Sequence, residues 1–273
     1  AHAAGKLSIG FWDHWVPGAN NATKQLATEW AAKEKVDLQI DHITSQANKL
    51  RLTISAESQA RAGHDILHFG SWGVSEQANN LEPVDDIMAA LIKQNGAVNP
   101  TVQYLGQIKG KWLAVPATTG SQIKGPCSRI DLMKQHAGID VQALYPAGAK
   151  PNADSWNLEA FLKAAEACHK AGVPFGIGLG TTADSSDTIG AFFQAFGAAL
   201  VDAKGNITAK SDPVRQALEY YKRLMAFLPP DVAAWDDATN NKWLVAGKGA
   251  TIMNPPRAWP VAKRDAPQVA AQH

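Results

Sequence analysis

Between Lys6 and Trp12, Leu7, Ile9 and Phe11 fall on one side, the two-residue period of a half-buried strand. Asn20, Asn21 and Thr23 then offer caps for a helix running through Trp30 to about Glu34. Val36–Ile40 reads as a second strand, and Lys49–Arg61 as a second helix with Leu50 and Ile54 on its apolar side. Asp65–Phe69 (DILHF) is a third strand. This β-α-β-α-β order predicts a parallel sheet covered by helices, and an α/β fold class.

Later segments keep the alternation with a different spacing. Ile108–Trp112 reads as a hairpin turn leading to Leu113–Val115, and Pro116 ends ladder pairing. Asp154-Ser155-Trp156 opens a helix to about Lys170, with Gly172 as its stop. Phe175–Leu179 is expected as a strand and Thr188–Phe196 as a helix. Asp212-Pro213 begins a long helix with Val214, Leu218, Tyr221 and Leu224 inward. A shorter helix ends near Trp243–Val245, and Gly249–Met253 is a buried strand. Trp30, Trp112 and Trp243 are expected to pack the fold.

Polar residues follow each early strand. The first runs into Trp12, Asp13, His14 and Trp15, the second into Thr44, Ser45 and Gln46, and the third into Gly70, Ser71, Trp72 and Gly73. Open α/β sheets bind ligands outside the carboxyl ends of their strands, so these positions predict a binding rim. A buried core has no use for Asp, His, Ser and Gln at those positions.

Composition narrows the function classes. At 273 residues and 45% hydrophobic, the chain can bury one large core or two smaller ones. Its 26 basic residues against 25 acidic ones give a net charge of +1, which argues against a nucleic-acid partner. No apolar run reaches the roughly 18 residues that span a bilayer. Cys127 and Cys168 make no metal spacing; the apolar series around Cys168 reads as core, and one bridge between the pair stays open. Ala1-His2-Ala3-Ala4 reads equally as the tail of a cleaved export signal or as a cloning scar. His64 and His68 have an H-x-x-x-H spacing, but on a strand they would stand about 13 Å apart, too far for one metal. No P-loop or EF-hand loop is present, and no cofactor is implied.

Four segments in order carry a family resemblance: Leu7–Trp12 with its loop, Asp65–Trp72 (DILHFGSW), Gly110–Pro116 (GKWLAVP) and Gly247–Trp259 (GKGATIMNPPRAW). With the helix region Asp154–Pro174, the chain resembles the family 1 extracellular solute-binding proteins, the sugar-binding components of ABC importers. The resemblance implies a two-lobed periplasmic-binding-protein type II fold, with residues 1–115 in the first lobe and 116–273 in the second. Family members continue for roughly another third of this length, so it also implies a chain lacking its C-terminal portion. Its expected partners are a small ligand, a mono- or oligosaccharide held between the lobes, and a membrane permease; its expected location is the periplasm after export. No enzymatic role is implied.

Sugars offer C–H faces that pack on aromatic rings and hydroxyls that need planar polar partners. Trp12, Trp15, Trp72 and Trp259 are candidates for the first task. Asp13, His14, Ser45, Gln46, Ser71, Asn254 and Arg257 are candidates for the second. By family position, Phe69, Gly70, Ser71, Trp72, Asp237 and Arg257 fall on ligand-contacting loops, and Thr118, Thr119, Gly180 and Thr181 on the cleft lining. Arg257 stands where some relatives carry an aromatic ring, which implies a more polar or partly anionic ligand. A rival reading, a glycoside hydrolase using Asp13 with Asp187 or Asp237, needs a fixed carboxyl separation that no spacing here sets.

Overall fold

A computed structural model describes residues 5–70, 72–117, 125–254 and 257–273. The chain divides into two compact units, Ala1–Gln122 and Ile123–His273.

The first unit is built on a three-stranded parallel sheet, β1 (Lys6–Trp12), β2 (Asp37–Ile43) and β3 (Ile66–Leu67), in the order β2-β1-β3. β1 and β2 pair along their whole length, Lys6 opposite Asp37 and Trp12 opposite Ile43. Only Ile9 and Gly10 of β1 pair with β3. The connecting helices are Pro17–Glu34 and Lys49–Ala60. Leu50 and Ile54 meet Ile43 in a buried cluster, with Trp12, Leu67 and Phe69 packed against it.

The first helix starts earlier than the Asn and Thr residues suggest. Pro17 occupies its first turn, where a missing N–H costs nothing, and Asn20 instead accepts the His14 N–H at 2.9 Å. Trp30 is 45% exposed and Leu26 68%, so Trp30 lies outside the core. The predicted hairpin is present as β4 (Gln107–Ile108) and β5 (Lys111–Trp112). Lys109 and Gly110 both take positive φ there, as a tight two-residue turn requires. Trp112 is buried.

The second unit is mainly helical around a larger core. β6 (Pro126–Ser128) and β7 (Thr251–Met253) pair antiparallel. The helices Leu158–Lys170, Ala183–Ala195 and Asp212–Met225 surround Phe175 and Ile177. The rings of Phe161, Phe175 and Phe192 meet edge to face, with centroids 5.2 and 5.8 Å apart. Such contacts add to the apolar area they bury.

Phe175–Leu179 forms no strand, although Phe175 and Ile177 are buried. The Gly176 N–H reaches the Thr251 carbonyl at 2.8 Å and the Leu179 N–H reaches the Val232 carbonyl at 2.8 Å. Two different partners prevent a continuous ladder. The helix before it is capped by Asn157, which accepts the Ala160 N–H at 3.0 Å, rather than by Asp154. Leu218 is 55% exposed, while Ala217 and Tyr220 join Val214, Tyr221 and Leu224 on the buried face. At about 100° per residue, that face lies on the opposite side of Val214 from Leu218.

Cys127 and Cys168 are free and buried in separate clusters, and burial pushes each thiol up to about 11. Among the described residues no helix is long and apolar enough to cross a membrane.

Candidate functional site

The carboxyl ends of the three parallel strands converge on Trp12. It closes β1, half-buried, and its Nε1 donates to Ser45 Oγ beyond β2 at 3.2 Å. Its backbone N–H points at Nδ1 of His68, which follows β3, at 3.4 Å. Its ring lies 4.6 Å from His14 and 6.2 Å from His68, centroid to centroid. One side chain thus touches the exits of all three strands. A small cleft beside it is lined by Phe11, Trp12, His14, Asn20, His42 and His68, among others.

Local bonds fix the loop after β1. Asp13 is exposed and its Oδ1 accepts from Asn20 Nδ2 at 2.7 Å. His14 Nδ1 accepts the Val16 N–H at 2.8 Å, which leaves the proton of the neutral ring on Nε2. Burial lowers the pKa of His68, and the neighbouring His14 lowers it further. Trp15 is half-buried, and its indole N–H has no partner among the described residues. Gln46 is exposed, with its backbone N–H donated to Thr44 Oγ1 at 3.2 Å.

Beyond β3, Phe69 packs on the Leu50 and Ile54 cluster and presses on Gly73, where a Cβ would stand 2.7 Å from its ring. Gly70 is exposed and its carbonyl accepts the Gly73 N–H at 3.0 Å. Trp72 is half-buried at the head of the short helix Gly73–Glu76. Ser71, Thr118 and Thr119 lie outside the described residues.

In the second unit a polar group gathers at the starts of two helices. Thr182 caps the helix Ala183–Ala195, its hydroxyl accepting the Ser185 N–H at 3.2 Å. Ala238 is the N-cap of the helix Thr239–Val245 and makes no side-chain cap bond; Asp236, two residues before it, accepts the Ala238 and Thr239 N–H groups at 3.0 Å. Asp237 is left to accept the Asp184 N–H at 3.4 Å. Asn240 Nδ2 reaches Asp184 Oδ2 at 3.5 Å. Asn254, 3% exposed, donates from Nδ2 to Asn241 at 3.0 Å and Asn240 at 3.3 Å. Its amide therefore ties Asn240 and Asn241 together.

Arg257 is half-buried just before the helix Ala258–Asp265. Burial lowers its pKa, while the charge of Asp184 opposes that shift. Gly180 runs so close to the Trp235 carbonyl that a Cβ would overlap it, and Thr181 beside it is exposed. Trp259 is 42% exposed and carries the Lys263 ammonium 4.6 Å from its ring centre.

His68 as a partner of Trp12, and Asp184 and Asn240 in the second unit, join these groups without having been among the residues expected from the sequence. The motif Thr182-Ala183-Asp184 at a helix start was the available signal for Asp184. Nothing local marks Asn240, whose neighbours arrive from distant segments. Among the described residues no group of three or more His, Cys, Asp or Glu could hold a metal ion.

Solved structures with the same fold share little sequence with the chain. Maltose-bound T. maritima MalE3 is 16% identical, with a TM-score of 0.72 over 98% of this chain and 66% of that one. A solute-binding protein from Thermotoga lettingae TMO, bound with α-D-tagatose, is 16% identical, with a TM-score of 0.70 over 99% and 67%. One from Agrobacterium radiobacter K84, in complex with ribitol, is 18% identical, with a TM-score of 0.68 over 91% and 60%. The chain spans about two thirds of the length of these proteins. Comparison with curated proteins finds no match. The fold is the α/β fold of the two-lobed periplasmic binding proteins. Residues 25–273 match the family described as bacterial extracellular solute-binding protein, and the chain belongs to that family.

Proposed function

We propose that the chain binds a sugar or a related polyol and serves an ABC importer, outside the cytoplasmic membrane, as a binding protein without catalytic chemistry. The observation that carries this reading is the meeting of Trp12 with Ser45, His14 and His68 at the exits of three parallel strands. An indole face beside hydroxyl and imidazole groups suits a ring with apolar C–H faces and hydroxyl edges.

Trp15 and Trp72 offer further aromatic surface near the same strand exits. Asp184, Asp237 and Arg257 offer the charged, directional partners that hydroxyls take best. The mixture of acids with one guanidinium supports a neutral polyhydroxylated ligand over a strongly anionic one. The bound ligands named for the similar structures, maltose, tagatose and ribitol, fall in this class. Asp13 and Asp237 each hold a backbone or amide group in place, so neither needs an acid–base role to account for its position. Bound ligand would shift the protein toward the form that a permease recognises.

A thermal-shift panel of monosaccharides, disaccharides and polyols against amino acids tests the reading. Binding to the folded state alone raises the midpoint by mass action, so one sugar or polyol class should raise it by several degrees. A shift from amino acids alone would contradict the proposal.

A further inference from the structure

Strand β3 is short for an edge strand: Ile66 and Leu67 pair with β1, and one backbone bond flanks them on each side, from the Asp65 N–H to the Ser8 carbonyl at 3.1 Å and from the His68 N–H to the Gly10 carbonyl at 2.9 Å. Yet it positions His68, Phe69 and Trp72. The segment just before it adds side-chain attachments to those backbone bonds.

Asp65 Oδ2 accepts both the backbone N–H and the hydroxyl of Ser8 at 2.8 Å. Beside it, His64 is held between two carboxylates from different elements. Its Nδ1 lies 2.9 Å from Glu57 Oε1, on the helix Lys49–Ala60, and its Nε2 lies 3.1 Å from Asp41 Oδ2, on β2. Its backbone N–H also donates to Glu57 Oε2 at 2.8 Å. On the β1 side Gly10 makes room: a Cβ there would stand 3.3 Å from the imidazole Cγ and 2.7 Å from Leu67.

We propose that His64, Asp41 and Glu57 form a protonation-dependent clasp that fixes β3, and so positions the strand end carrying His68, Phe69 and Trp72. A carboxylate only accepts hydrogen bonds, and a neutral imidazole donates from one nitrogen alone. With acceptors on both sides, only the imidazolium satisfies the geometry. Loss of its proton turns a lone pair toward a carboxylate and opens one side of the clasp.

The ionisable surroundings agree. Burial pulls the His64 pKa down, but the hydrogen bonds and charges of Asp41 and Glu57 outweigh it, and the net shift is upward. His42 from β2 and Asp65 from its own segment are the other titratable groups at this junction. β1 contributes Gly10, which carries no charge. A raised folded pKa means that the stabilisation is fully present below the ordinary value of 6.5 and is lost as pH rises through the folded value.

An NMR titration of the purified chain from about pH 5 to 9 tests the clasp. The His64 ring should titrate above 6.5, with the Ile66 and Leu67 amide shifts following the same midpoint. A midpoint at or below 6.5, or amides that ignore it, would overturn the proposal. Glu57→Gln should lower the His64 midpoint, and an unchanged midpoint would also overturn it. His64→Gln should abolish the alkaline titration of both amides; its persistence would count equally against the clasp. If neither variant folds, the wild-type titration decides. Any effect on ligand affinity rests on the sugar reading, but this titration uses no ligand, so either proposal can fail alone.

Discussion

At Gly180 the backbone passes the Trp235 carbonyl so closely that no side chain fits between them. Backbone is the obstacle, not the end of a flexible side chain, so relief requires the chain itself to move. Gly180→Ala should therefore destabilise the second unit by about 1–3 kcal/mol, the usual cost of overpacking. Urea unfolding measures this, and an unchanged midpoint would show that the loop yields freely. The cysteines offer a second check at the same scale. With both thiols buried and pushed up to about 11, neither forms appreciable thiolate at pH 8. Ellman's reagent should leave Cys127 and Cys168 unmodified in the native protein and modify both after denaturation. Rapid native labelling would place a thiol outside its cluster. The candidate residues themselves were legible where strand ends meet loops: Trp12, His14 and Ser45 follow apolar alternation that stops abruptly. Asn254 was not, because only distant Asn240 and Asn241 reveal that its amide is already engaged.

Helices and strands were legible to the degree that one face decides them. Leu50 and Ile54 repeat at helical spacing and are buried as expected. Leu218 shares that spacing with Val214 but falls past the edge of the buried arc, since Ala217 and Tyr220 already fill the other side. Apolar spacing names a stripe, while the neighbouring helices decide its centre. Phe175–Leu179 looked like a strand because it is apolar and short, yet Thr251 and Val232 divide its backbone bonds. Tertiary contacts of this kind leave no local mark. The helix Asp212–Met225 then yields a paired prediction. Leu224→Ala, at a fully buried position, should cost about 2–5 kcal/mol. Leu218→Ala, on the exposed side, should stay within about 0.5 kcal/mol. Equal losses in denaturant melts would contradict the assigned face.

At the scale of the molecule, alternation of strand and helix signals was enough to give a parallel sheet with polar residues at its strand exits, while the order β2-β1-β3 is set by pairing that no local pattern encodes. The shortness of β3 was not legible, because DILHF has the apolar content of a longer strand and only its charged attachments show where pairing stops. Residue types at the rim name a class of ligand, whereas the stereochemistry of a particular sugar depends on sub-ångström placement that no spacing encodes. Aromatic side chains at these strand exits are proposed to bind a polyhydroxylated ligand. Calorimetric titration of the best ligand from the sugar and polyol panel, into the wild-type chain and into Trp72→Ala, tests it most directly. Binding should be saturable and one-to-one, and should weaken by about 1–3 kcal/mol in the variant, the worth of a buried aromatic face, with an unchanged unfolding midpoint. Equal affinity in the two proteins, or no saturable heat from any sugar or polyol, would contradict it.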